Sequence, residues 1–232
     1  MVNFETDKLI IVCYPRNTGG KFLINALGLS DRAIFQSDAL AEKQLAGAFT
    51  HADKIQYLNE KLDEVKDRWT DLDMGCYQFF GFTSPVYKNT SVNEMVFNPI
   101  VETITNDERY NFFMVSHECY ALQKQIQVWK NAKLIIFENF SPFISHYRPE
   151  GNALQWDNDK EKVWMGQITA VKEPMFYWNT NWYFSKEDTL AGIKELYTLL
   201  GFSDFNQESI SRYYEQWINT LSRLRSIHED CA

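Results

Sequence analysis

The chain has 232 residues, 45% hydrophobic and 16% aromatic, which is enough to bury a sizeable core and is read as a single domain spanning 1–232. Its formal net charge of -8 argues against a general nucleic-acid or anionic-membrane surface, since the average field would repel either partner. Cys13, Cys76, Cys119 and Cys231 are far apart and form no C-x-x-C pair, which argues against a disulfide framework and for free, buried thiols; with no leader-like or bilayer-length apolar segment, a soluble cytoplasmic protein is expected.

The first predicted element is a strand, Leu9 to Tyr14, apolar throughout. It runs into the basic turn Pro15-Arg16-Asn17-Thr18-Gly19-Gly20-Lys21-Phe22 and then a helix. Such a turn presents consecutive backbone N–H groups at a helix N-terminus, where the helix dipole adds partial positive charge, so its natural ligand is an anion. Compared with the nucleotide loop G-x-x-x-x-G-K-[ST], Pro15 replaces the first glycine and Phe22 replaces the hydroxyl residue that coordinates Mg²⁺. The loop is therefore poorly equipped for metal-assisted phosphoryl transfer and suggests metal-free group transfer. The bland alternative is a tight strand-to-helix turn with solvated Arg16 and Lys21.

Between Ala52 and Trp69, the residues Ile55, Leu58, Leu62, Val65 and Trp69 share one helical face opposite Lys54, Glu60, Lys61, Glu64 and Lys66, which predicts a helix packed on the sheet. Tyr77 to Phe82 is a weaker strand candidate. Asn111 is read as a loop, and Phe112 to Ser116 as a strand delivering His117 at its carboxyl end, where open parallel sheets bind ligands. A histidine there is suited to take a proton from a hydroxyl near neutral pH; alternatively it caps the helix Glu118 to Trp129. Lys133 to Glu138 is the next strand, followed by a short helix and a loop from Gly151 to Lys160. Continuous rather than alternating hydrophobicity in these strands implies burial on both faces. The expected architecture is a three-layer α/β/α fold around a mostly parallel sheet, similar to P-loop NTPases.

Met175 to Phe184, crowded with aromatics, reads as a segment between helices that either joins the core or lines an acceptor pocket; Trp156 and Trp164 share that ambiguity. A helix opens at Ser185 with a capping box and stops at Gly201, and a last one runs from about Asn206 with Ile210, Tyr213, Tyr214, Trp217, Leu221 and Leu224 inward. His51, His146 and His228 are expected at the surface or at helix ends, and no metal-ligand spacing is present.

Taken together, Tyr14 to Lys21, the strand ending Ser116-His117, Asn131 to Asn139 with a helix following, and Ile193 to Phe202 resemble the PAPS-dependent sulfotransferase family. The resemblance implies sulfuryl transfer from PAPS to a hydroxyl acceptor, a carbohydrate or small molecule, without a metal. It implies that Arg16, Asn17, Thr18, Gly19, Gly20, Lys21 and Phe22 cradle the 5′-phosphosulfate, with Arg16 and Lys21 stabilising charge and His117 as base. It further implies that Asn139, and Ser145 close to the family's serine position, hold the 3′-phosphate, while Arg148, on the same short helical segment by helical spacing, is the candidate to supply the charge of the missing arginine. Glu138 stands where the family has arginine, and is otherwise read as a strand-end carboxylate paired with a nearby Lys or Arg. A P-loop kinase or other nucleotide-dependent transferase, and a non-catalytic scaffold that keeps the fold, remain as alternatives.

Overall fold

The computed structural model describes residues 7–15, 18–34, 43–44, 46–64, 86–87, 95–96, 109–117, 119–147 and 157–229. The expected strand Tyr77 to Phe82 lies outside them. Four strands form one all-parallel sheet: β1 (Leu9–Cys13), β4 (Phe112–Ser116), β5 (Lys133–Glu138) and β6 (Phe176–Asn179), in the order β4-β1-β5-β6. Two short strands, β2 (Val86–Tyr87) and β3 (Met95–Val96), pair antiparallel with each other. β1 is central because all five of its residues are buried, as a strand flanked on both edges and covered on both faces requires. Its last residue, Cys13, aligns with Ser116 on one side and Ile136 on the other, so β1 and β4 end at a common level and β5 runs two residues further.

Seven α-helices occur among the described residues: α1 (Gly20–Gly28), α2 (His51–Glu64), α3 (Cys119–Val128), α4 (Ser141–Tyr147), α5 (Asn158–Thr169), α6 (Lys186–Leu200) and α7 (Gln207–Glu229). α1, α6 and α7 pack on one another, with α2 and α4 against α7, whereas α3 packs on β4 and α5. The handedness rule for parallel connections puts α3 and α5 on the sheet face opposite α1, consistent with a three-layer α/β fold. No helix among the described residues is long and apolar enough to cross a membrane.

Three departures from expectation have local causes. Met175 to Phe184 holds the fourth strand, β6, and a 3-10 turn, Thr180–Phe184; Tyr177 of β6 faces out between buried Phe176 and Trp178, the alternation of an edge strand. The loop expected from Gly151 to Lys160 ends early, because the Asp157 side chain accepts from the N–H groups of Asp159 and Lys160 and starts α5. Lys54, expected on the polar face of α2, is 1% exposed. Its Nζ donates to the carbonyls of Gly28, Ser30 and Ala33 at 2.9, 2.5 and 3.0 Å, closing the C-terminal end of α1.

Burial pushes the Lys54 ammonium down to about 8, against the opposing pull of Asp31 and Asp204. Between that value and the ordinary lysine range the unfolded chain binds the extra proton, so this group makes stability rise with pH across that window. Below pH 8 it is charged in both states and its burial cost is fully present. Lys54→Met is expected to destabilise the chain by about 3 kcal/mol at pH 7, because three buried carbonyls lose their donor. Denaturant melts from pH 8 to 10 should show a stability gain in the wild type that the variant lacks; parallel pH curves would contradict this account.

Candidate functional site at the carboxyl end of the sheet

The chain leaves β1, reaches β4 on one side, and returns to β5 on the other. This reversal puts a topological switch point at the carboxyl ends of β1 and β5, the place where open parallel sheets bind ligands. Two helices start there, α1 after β1 and α4 after β5.

The α1 side is built around Tyr14, which is 1% exposed. Its N–H donates to the Ser116 carbonyl at 3.0 Å, extending the β1–β4 ladder by one bond. Its carbonyl accepts from His117 Nδ1 at 2.8 Å, and its ring meets the His117 ring edge-on with centroids 4.8 Å apart. A carbonyl can only accept, so Nδ1 carries the hydrogen and, in the neutral ring, Nε2 is the basic nitrogen. The same Tyr14 ring packs against Gly20, the first residue of α1, where an added Cβ would lie 2.3 Å from ring carbons. Tyr14 therefore ties His117, just past the end of β4, to the loop after β1.

Within the loop, Thr18 is fully buried and its Oγ1 donates to the Pro15 carbonyl at 2.7 Å. Gly19 sits at φ 79 in the left-handed region, where a side chain would be strained and would also meet Tyr183 at 2.8 Å. Its carbonyl accepts from the Tyr183 hydroxyl at 2.9 Å. Among the described residues no side chain caps α1, whose N-cap is Gly19, and its first turn has no acidic residue, an arrangement in which helix N–H groups favour an anion. Lys21 is 7% exposed on α1. The Phe22 side chain points away from any ligand position into an aromatic stack, 4.5 Å from the Trp217 ring and 5.2 Å from that of Tyr213. Phe22 thus offers a ligand only its backbone N–H. Arg16 and Asn17 lie outside the described residues.

The α4 side has the opposite electrostatics. Glu161, on α5 and 8% exposed, accepts from Phe140 N at 3.2 Å, Ser141 N at 3.1 Å and Ser141 Oγ at 2.6 Å. An internal carboxylate thus occupies the anion position of α4. The Ser145 hydroxyl donates to the Ser141 carbonyl of its own helix at 2.9 Å. Asn139 is exposed with φ 53, and Arg148 lies outside the described residues. Glu138 meets no cation among the described residues; burial and the neighbouring Glu161 push its carboxyl above its ordinary value. The expected Lys or Arg partner for Glu138 is therefore replaced by a second carboxylate.

The structure groups His117, Tyr14, Thr18, Gly19, Gly20 and Lys21 where the chain leaves β1 and β4, and Glu138, Asn139, Ser145 and Glu161 where it leaves β5. Compared with known proteins, the chain matches no family model, no curated protein and no solved structure. Glu161 is the residue that sequence reasoning missed, and its partners lie 20 and 21 positions away, beyond any local capping pattern. Tyr183 and Trp164 were seen only as aromatics: Tyr183 holds Gly19, and Trp164 Nε1 donates to the His117 carbonyl at 3.3 Å. His51 and His146 lie elsewhere, the first against the Leu29 carbonyl at the start of α2 and the second beside Arg225. Cys13 is buried, and burial pushes its thiol far above the ordinary range, against a hydrogen bond from Ser116. Cys76 and Cys231 lie outside the described residues, as does Trp156.

Proposed function

We propose that this chain is a sulfotransferase that moves a sulfuryl group from a phosphosulfate donor, PAPS by resemblance, onto a hydroxyl acceptor. The observation that carries the reading is the coupling of His117 to the α1 loop through both the carbonyl and the ring of Tyr14. It supports a base and an anion cradle held at a fixed distance from each other, which is what transfer from a bound anion to a neighbouring hydroxyl needs.

The donor supplies an activated sulfuryl group. The residues of α1 would hold its anionic end: the backbone N–H groups from Gly20 onward and the Lys21 side chain. His117 Nε2 would take the acceptor hydroxyl's proton as the oxygen attacks sulfur, while the Nδ1–H bond to the Tyr14 carbonyl steadies the resulting imidazolium. The negative charge released on the departing phosphate falls beside the α1 dipole and Lys21. The α4 side does not fit a 3′-phosphate, since its N–H groups already serve Glu161.

Thermal-shift titrations with PAPS, with its product adenosine 3′,5′-bisphosphate, with ATP and magnesium, and with sulfate test the assignment. Stabilisation by PAPS or the bisphosphate without metal is expected. Stabilisation by magnesium ATP alone would move the chain to the kinases, and no response to any adenosine phosphate would leave a scaffold that keeps the fold.

A further inference from the structure

His117 sits at a corner of the chain, between Ser116 at the end of β4 and Cys119 at the start of α3. α5 holds this corner at two points. Trp164 Nε1 donates to the His117 carbonyl at 3.3 Å, and Cys119 Sγ donates to the Gln167 carbonyl at 3.5 Å. Trp164 and Gln167 are neighbours at helical spacing, so both contacts come from the same stretch of one helix.

Trp164 is itself firmly placed. It is buried, and its ring meets Phe140 edge-on with centroids 5.5 Å apart. Its helix starts at the Asp157 cap and is anchored to the start of α4 through Glu161, one turn before Trp164. A buried indole N–H is costly to leave without an acceptor, and the His117 carbonyl supplies one. His117 is therefore gripped from two elements: its ring Nδ1 by the Tyr14 carbonyl at the end of β1, and its backbone carbonyl by α5. A ring held at Nδ1 alone could still swing about that bond. Fixing the backbone as well sets the direction in which Nε2 points, and a general base works only where it meets its proton within hydrogen-bond reach.

We propose that Trp164 is a positioning residue for His117, its indole N–H holding the backbone at residue 117 so that the ring keeps its bond to Tyr14 and presents Nε2. Trp164 acts through His117 and not on the reacting atoms. The inference rests on the reading of His117 as the base.

Nitrogen NMR of the histidine rings of the full chain, at an alkaline pH where an ordinary imidazole is neutral, reads the tautomer without substrate. Wild type should show His117 as the Nδ1–H form. Trp164→Phe keeps a ring against Phe140 and removes the donor; the ratio of Nδ1–H to Nε2–H at His117 should fall about fivefold, the factor that corresponds to one hydrogen bond of ordinary strength. Ile168→Val thins the same buried face of α5 without removing a hydrogen-bonding group, and should leave the ratio at its wild-type value. If Trp164→Phe does not fold, wild type carries the test: the Trp164 indole N–H signal should move with the titration of the His117 ring, and a signal indifferent to it would overturn the inference. An unchanged ratio in Trp164→Phe, or an equal fall in Ile168→Val, would overturn the inference while His117 keeps its role as base. An Nε2–H tautomer in wild type would overturn the reading of Nε2 as the base, and the inference with it.

Discussion

His117→Ala is expected to lower the rate of sulfuryl transfer roughly a hundredfold to ten-thousandfold, the range that a positioned general base supplies. Nucleotide binding should change little, because the α1 loop keeps its own contacts through Thr18 and Tyr183. The fold should lose on the order of 1 kcal/mol, the value of the one hydrogen bond to the Tyr14 carbonyl. The wild-type rate should fall at acidic pH as the ring gains its second proton, and the residual rate of the variant should show no such fall. Full activity in His117→Ala, or an identical acid limb in both proteins, would remove His117 from the chemistry.

Gly20→Ala is expected to be the most damaging single-methyl change in the loop. The new Cβ would stand 2.3 Å from the Tyr14 ring, and that ring has nowhere to go, with His117 edge-on at 4.8 Å and Phe137 at 5.3 Å. Relief requires moving α1 or tilting Tyr14, at a cost of about 3 kcal/mol. Because Tyr14 also holds His117, the variant should lose both donor stabilisation and catalysis, a joint loss that neither His117→Ala nor a distant destabilising change would give. Gly166→Ala is the control: a Cβ there meets nothing within 4 Å, and alanine favours its helix by up to about 1 kcal/mol. Melting temperatures that move in opposite directions for the two alanines are the expected result, and a Gly20→Ala protein as stable as wild type would refute the packing argument.

The parts of this architecture legible in the sequence are those set by local pattern. β1, β4 and β5 announce themselves as continuous apolar runs because both of their faces are covered, and α6 shows both of its ends, Ser185 accepting from Asp188 N and Gly201 at φ 74. β6 was not legible because an edge strand four residues long, bearing Phe176, Tyr177, Trp178 and Asn179, carries too few alternations to separate from an aromatic loop. Lys54 misled for a different reason: amphipathic patterning treats every lysine as solvated, while here three carbonyls at the end of α1 make a burial site for one. On the site, the placing of His117 beside the loop followed from strand order alone, since parallel strands deliver their carboxyl ends to one edge. That Tyr14 mediates the pairing, and that Glu161 fills α4, depend on long-range contacts that periodicity does not encode.

The stack of Phe22 on Trp217 and the bond from the Tyr183 hydroxyl to Gly19 also govern when the loop can exist. A loop that begins at residue 14 is propped by side chains from residues 183 and 217, so a chain emerging from the ribosome carries this loop bare for nearly the whole of synthesis. Closing so long a separation is entropically slow, and the segment acquires its shape last although it is made first. A protein cut short before Trp217 would keep the β1, β4 and β5 sequences yet lack the ring that Phe22 stacks on.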